Sequence, residues 1–136
     1  MTRAAGWMTG QVVAAGLLVG LAACGGGDDG TPTAPGSSGP GPSGATITIA
    51  DGRVTPASVT INVGQSVTFV NNNGRGHNVT SDPHPTHTDC PPINAVGNMT
   101  NGQTRLTNAF ATARTCGFHN HDDPDNPNFR GSIIIR

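Results

Sequence analysis

From residue 45 onward the sequence predicts an all-β domain, and three observations carry that expectation. Apolar residues recur at every second position over short runs, as in ATITIA (Ala45–Ala50) and SVTFV (Ser66–Val70). Gly, Asn and Pro clusters punctuate these runs, as turns between strands require. No segment of the domain places apolar residues at the 3.6-residue spacing of a helix.

Taken in order, the elements follow from that alternation. After ATITIA comes SVTINV (Ser58–Val63), where Val59, Ile61 and Val63 share one side because side chains at i and i+2 lie on the same face of a strand. Gly64-Gln65 breaks the run before SVTFV, and NNNGRG (Asn71–Gly76) forms a turn into HNVTS (His77–Ser81). A Pro-rich loop is expected from Asp82 to Asn94, and NGQT (Asn101–Thr104) turns the chain into a strand over Arg105–Phe110. The last strands are Ala113–His119 and Ser132–Arg136. The latter is almost continuously apolar and is expected to be buried.

The first 44 residues have another character. Arg3 precedes an apolar run, Val12–Ala23, that ends in small residues before Cys24, which is the pattern of a signal peptide over residues 1–23. LAAC (Leu21–Cys24) resembles a bacterial lipobox, which implies a lipidated Cys24 and an extracytoplasmic protein anchored at the cell envelope, in the periplasm or on the cell surface. The segment GGGDDGTPTAPGSSGPGPSG (Gly25–Gly44) has no apolar periodicity and reads as a tether; as a flexible coil it spans about 25 Å. Residues 24–44 thus link a membrane to one domain, residues 45–136.

Composition narrows the function classes. The domain has no Lys, Glu, Trp or Tyr, and its six arginines match its six aspartates. Without a basic excess, nucleic acid is a poor partner. No Ser-His-Asp order, phosphate loop or paired carboxylates stand out, so no enzyme activity is expected. All five histidines, His77, His84, His87, His119 and His121, fall between positions 77 and 121. His119 and His121 are an i, i+2 pair that can face one ion, and His77 is expected to reach it from a neighbouring strand. With Cys24 assigned to lipid, Cys90 and Cys116 form a candidate disulfide outside the cytoplasm. A thiolate role for Cys116 stays open.

VTPASVTINVGQSVTFVNNNGRGHNV (Val54–Val79) resembles the first half of a plastocyanin-type cupredoxin, and RTCGFHNH (Arg114–His121) with GSIIIR (Gly131–Arg136) is similar to its closing strands. The resemblance implies a cupredoxin-like Greek-key β-sandwich with His77 as a copper ligand. Cys116-Gly117-Phe118-His119 copies the start of the family's cysteine-to-histidine spacing, but no methionine follows Cys116, and Phe129 stands about where the axial methionine would be expected. Aligned to the family's strand and loop length, Cys116 and Phe118 fall on its inward aromatic positions, and the resemblance puts Asn120 on the ligand-cysteine position. TCGFHNH also resembles the His-x-His strand of multicopper oxidase domains, in which both histidines bind copper without a thiolate. A single domain is too small for such an oxidase. SDPHPTHTDCPP (Ser81–Pro92) with the later His-x-His looks like a bacterial family of small exported cupredoxin-like proteins.

Together these resemblances imply copper, or zinc, held by His77, His119 and His121, with His84, His87 or Cys116 as further candidate ligands. The expected work is copper handling or electron transfer, with a redox or copper-delivery protein as partner. Two alternatives accompany it: a blue-copper electron-transfer protein using the Cys116 thiolate, and a metal-free or zinc-stabilised interaction domain.

Overall fold

The structure, a computed structural model, describes residues 39–136; the signal peptide, Cys24 and most of the tether lie outside the described residues. Among the described residues nine strands form two sheets: β1 (Ser43–Ala50), β2 (Arg53–Thr55), β3 (Ser58–Ile61), β4 (Ser66–Asn71), β5 (His77–Ser81), β6 (Gly97–Met99), β7 (Thr104–Leu106), β8 (Arg114–Asn120) and β9 (Arg130–Ile135). One sheet has the order β2-β1-β4-β7 and the other β3-β9-β8-β5-β6. β1 runs parallel to β4 and β3 parallel to β9, while the remaining pairs are antiparallel. Among the described residues there is no α-helix, only 3-10 turns at Pro91–Ala95 and Pro127–Phe129.

Alternation puts one side of each sheet into a common core. Ile47, Ile49, Val67 and Phe69 of the four-stranded sheet meet Val59, Ile61, Val79, Phe118, Ile133 and Ile135 of the five-stranded one. Phe69 and Phe118 pack edge to face across the sandwich, ring centres 5.2 Å apart, a geometry in which the positive edge of one ring meets the negative face of the other.

Several strand expectations need correction. Val59 and Ile61 are buried, but Val63 lies past the end of β3 and is 47% exposed. The last strand is buried only at alternate positions: Ile133 and Ile135 are buried and Ile134 is 38% exposed, because β9 has the core on one side only. The strand expected over Arg105–Phe110 is reduced to Thr104–Leu106, and Phe110 is held instead by exchanging backbone hydrogen bonds with Gly64 and Gln65. β2 and β6 have no counterpart in the sequence pattern; three residues are too few to show a period.

Candidate metal centre

The register of β5 against β8 decides which side chains can meet. Val79 stands opposite Asn120, Thr80 opposite His119 and Ser81 opposite Phe118. Directly opposed residues share a face. Therefore His77, Val79, Ser81, Cys116, Phe118 and Asn120 point into the sandwich, while Thr80, Gly117 and His119 point outward. Cys116, Phe118 and Asn120 are all buried, in keeping with the inward register read from the sequence.

On the outward face four imidazoles converge. Ligand-capable nitrogens of His84, His87, His119 and His121 all lie within 4.8 Å of one another. His119 lies near the end of β8, and His121 continues the ladder beyond it, its amide donating to the Asn78 carbonyl at 2.7 Å. His84 and His87 come from the loop after β5, which folds over the sheet. His119 is thereby only 1% exposed, although it points away from the core.

Each ring is aimed by its surroundings. Nδ1 of His119 donates to Oδ1 of Asp82 at 2.6 Å, so its other nitrogen, 3.4 Å from Thr80 Oγ1, is the one left to bind a cation. Nδ1 of His87 donates to the Ser81 carbonyl at 2.9 Å, leaving Nε2, which lies 2.9 Å from Nδ1 of His121. His87 has a φ of 53°, a left-handed backbone that a non-glycine residue adopts at a cost of order 1–3 kcal/mol. It is held there by hydrogen bonds: its amide donates to Pro83 O (2.8 Å), and its carbonyl accepts from Ser81 Oγ (3.0 Å) and Asn94 Nδ2 (2.8 Å). A Pro-rich loop alone would position His84 and His87 loosely, but His87 is among the most constrained residues of the site. His84 is the exposed member, its ring centre 5.1 Å from that of His121.

Gly117 has a steric reason to be glycine. A Cβ there would collide with the Asp82 carboxylate, so the bare backbone gives Asp82 room to lie over β8 and reach His119. The Asp82 amide also donates to the Gly117 carbonyl at 3.1 Å.

At its far end the loop is fastened again. Cys90 and Cys116 form a disulfide, with Cα atoms 5.8 Å apart and a separation of 26 positions in sequence. Asp89 and Arg114 add an exposed ion pair beside it. The bridge removes Cys116 from consideration as a thiolate ligand, and with it the blue-copper alternative. Cys116 also faces the core while the imidazoles gather on the other side of the same strand.

His77 does not join the four. Parity places it inside the sandwich, 2% exposed, with its ring stacked on Phe129 at 4.7 Å. Its Nε2 accepts from Asn73 Nδ2 at 2.8 Å, and its Nδ1 is buried without a hydrogen-bond partner among the described residues. The expected meeting of His77 with His119 and His121 therefore does not occur. His119 and His121 meet His84 and His87 instead. Burial depresses the pKa of His77 and of His119. For His77 the nearby Arg75 adds to that effect and Asp122 opposes it; for His119 the hydrogen bond and charge of Asp82 oppose it.

Imidazole nitrogens suit copper and other first-row metals. Two nitrogens bound to one ion at about 2.0–2.1 Å stand roughly 3 Å apart, and the 2.9 Å between His87 and His121 matches that spacing. The residues present fit a copper ion.

The family model described as "Copper binding proteins, plastocyanin/azurin family" matches residues 45–118. The match stops one residue before His119. No curated protein matches the chain. Among solved structures, amicyanin from Paracoccus versutus (Thiobacillus versutus) is 23% identical, with 68% of this chain and 81% of that one covered and a TM-score of 0.53. A purple cupredoxin from Nitrosopumilus maritimus is 17% identical, covering 68% and 99%, with a TM-score of 0.51. A reduced Cu(I) form of an amicyanin variant is 22% identical, covering 68% and 82%, with a TM-score of 0.53. At these identities the likeness is one of fold.

Proposed function

Because the chain belongs to the plastocyanin/azurin family of copper binding proteins, we propose that it holds one copper ion through His84, His87, His119 and His121 and works in copper handling outside the cytoplasm. The observation that carries this reading is the convergence of four imidazole nitrogens within 4.8 Å on the outward face of the five-stranded sheet. Copper bound there would cycle between Cu(I) and Cu(II). The chain supplies the rest: Asp82 and the Ser81 carbonyl fix two rings by accepting their Nδ1 hydrogen bonds, and the loop from Asp82 to Cys90 covers His119. Copper rather than zinc is the metal the family description names.

The location rests on the lipobox-like Cys24 and the tether that follows, and the Cys90–Cys116 bridge suits an oxidising compartment. The partners of this reading are the membrane, through the lipid, and a protein that donates or accepts copper. Electron transfer through the same ion is the second reading, favoured by the family; the absence of a thiolate at the cluster among the described residues favours copper handling.

The test is a copper titration followed by absorption spectroscopy. One equivalent of Cu(II) should bind and give a pale spectrum without an intense thiolate band. An intense blue colour, or binding unaffected by His87→Ala and His119→Ala, would overturn the assignment.

A further inference from the structure

The four imidazoles are not held alike. His119 donates from Nδ1 to Asp82 at 2.6 Å, His87 donates from Nδ1 to the Ser81 carbonyl at 2.9 Å, and the His121 amide ties that residue to the Asn78 carbonyl at 2.7 Å. His84 has no such tie. Among the described residues neither its ring nor its backbone makes a hydrogen bond. It is also the exposed member of the set, whereas His119 is buried and His87 and His121 are half-buried.

The local sequence accounts for this difference. His84 stands between Pro83 and Pro85. A proline fixes its own φ and restricts the residue before it, so the backbone has few choices here while the histidine side chain keeps its rotations. Exposed side chains change rotamer on the picosecond to nanosecond scale. An open cavity of about 330 Å³, lined in part by His84, Pro124 and Arg130, gives the ring room to turn without moving the sheet. Because the ring is itself at the surface, whatever it covers meets solvent once it turns away. The His119 ring has no comparable exit, since the loop lies over it.

We propose that His84 is the exchangeable ligand of this centre, the position at which a donor atom of a copper-accepting protein enters while His87, His119 and His121 keep hold of the ion. The proposal rests on copper occupying the four imidazoles. In the exchange a bond from the incoming donor to the ion forms and the bond from the His84 nitrogen breaks; no electron moves, and His84 ends as a neutral imidazole in solvent. Pro83, Pro85 and Thr86 around it are exposed and uncharged. The donor that fits is therefore an uncharged one, an imidazole of the acceptor matching the ring it replaces.

The probe is ¹⁵N-labelled imidazole, added to full-length protein in excess over Cu(II) and read from the nitrogen couplings in the copper electron paramagnetic resonance spectrum. His84→Ala should take up the label saturably, with its coupling appearing in the spectrum. His87→Ala and His119→Ala should take it up at least about tenfold more weakly, because their places lie within the fastened part of the site. Transfer of Cu(II) from wild type to excess nitrilotriacetate should rise in proportion to chelator concentration, since the acceptor joins before the ion leaves. At one chelator concentration His84→Ala should transfer its ion about tenfold faster, because the entry position is already open. Absence of label coupling in His84→Ala, equal uptake by His119→Ala, or a wild-type transfer rate independent of chelator concentration would each overturn the proposal. Failure of the underlying copper assignment is seen separately, as copper affinity that does not respond to His87→Ala before any imidazole is added.

Discussion

Asp82 and His119, 37 positions apart in sequence, share a 2.6 Å hydrogen bond that ties the histidine-bearing loop to the strand beneath it. The carboxylate fixes which imidazole nitrogen carries the proton, and so which one faces the other three rings. An amide in its place would keep the size but lose the charge-assisted acceptor. Copper affinity of Asp82→Asn should fall about 10- to 100-fold, the usual effect of losing an outer partner of a metal-binding histidine. Gly117→Ala should act by the same route, because its Cβ displaces the Asp82 carboxylate. Competition titrations against a copper chelator of known affinity check both.

Alanine in place of His84, His87, His119 or His121 should each lower copper affinity by about an order of magnitude or more, since each removes one of four donors. His77→Ala should leave copper affinity close to wild type and instead lower stability by roughly 1–3 kcal/mol, through loss of a buried ring packed on Phe129. Calorimetric copper titration paired with urea denaturation of the same variants separates the two effects.

Reducing the Cys90–Cys116 bridge, or replacing both residues with Ser, should lower unfolding stability by about 2–4 kcal/mol. It should also weaken copper, because His84 and His87 lie on the segment that the bridge fastens. Without reductant, alkylation of the native protein should label neither cysteine.

Burial holds the pKa of His77 and His119 below the ordinary 6.5. As pH falls through 6.5 the unfolded chain takes up protons at these positions before the folded one does. Stability of the metal-free protein should therefore be greatest above about pH 6.5 and decline as pH falls from there toward the folded values. Denaturant midpoints between about pH 5 and 7.5 measure the slope, and His77→Gln should make it shallower. A slope of the opposite sign would contradict the burial-driven shifts.

If Cys24 carries the lipid, Cys24→Ala should move the protein from the membrane fraction to the soluble one without changing its thermal transition. Fractionation and calorimetry of the variant test this.

The fold was legible because alternation in segments such as SVTFV and the punctuation of NNNGRG report local geometry directly. The inward places of Cys116 and Phe118 came from the likeness of their strand to cupredoxin closing strands, which the alternation alone does not supply. The composition of the site was only half legible. The pairing of Val79 with Asn120 is fixed by packing between strands about 40 positions apart, and a shift of one residue would turn His77 to the other face. The sequence therefore carried the His-x-His pair but not which neighbours it meets. The H-P-T-H run at positions 84–87 was the available signal for the other two rings. Its weight lay in hydrogen bonds that His87 makes with Ser81, Pro83 and Asn94 and that hold it in place, which no local pattern displays.

The loop that carries His84 and His87 is fastened at both ends, by Asp82 to Gly117 and His119 and by Cys90 to Cys116. Ordering a free segment costs about 1–2 kcal/mol of backbone entropy per residue, and here that cost is met when the sandwich folds rather than when an ion arrives. Copper capture then needs no folding step, unlike small metal domains that are unfolded until loaded. Far-ultraviolet circular dichroism of the metal-free and copper-loaded protein should coincide.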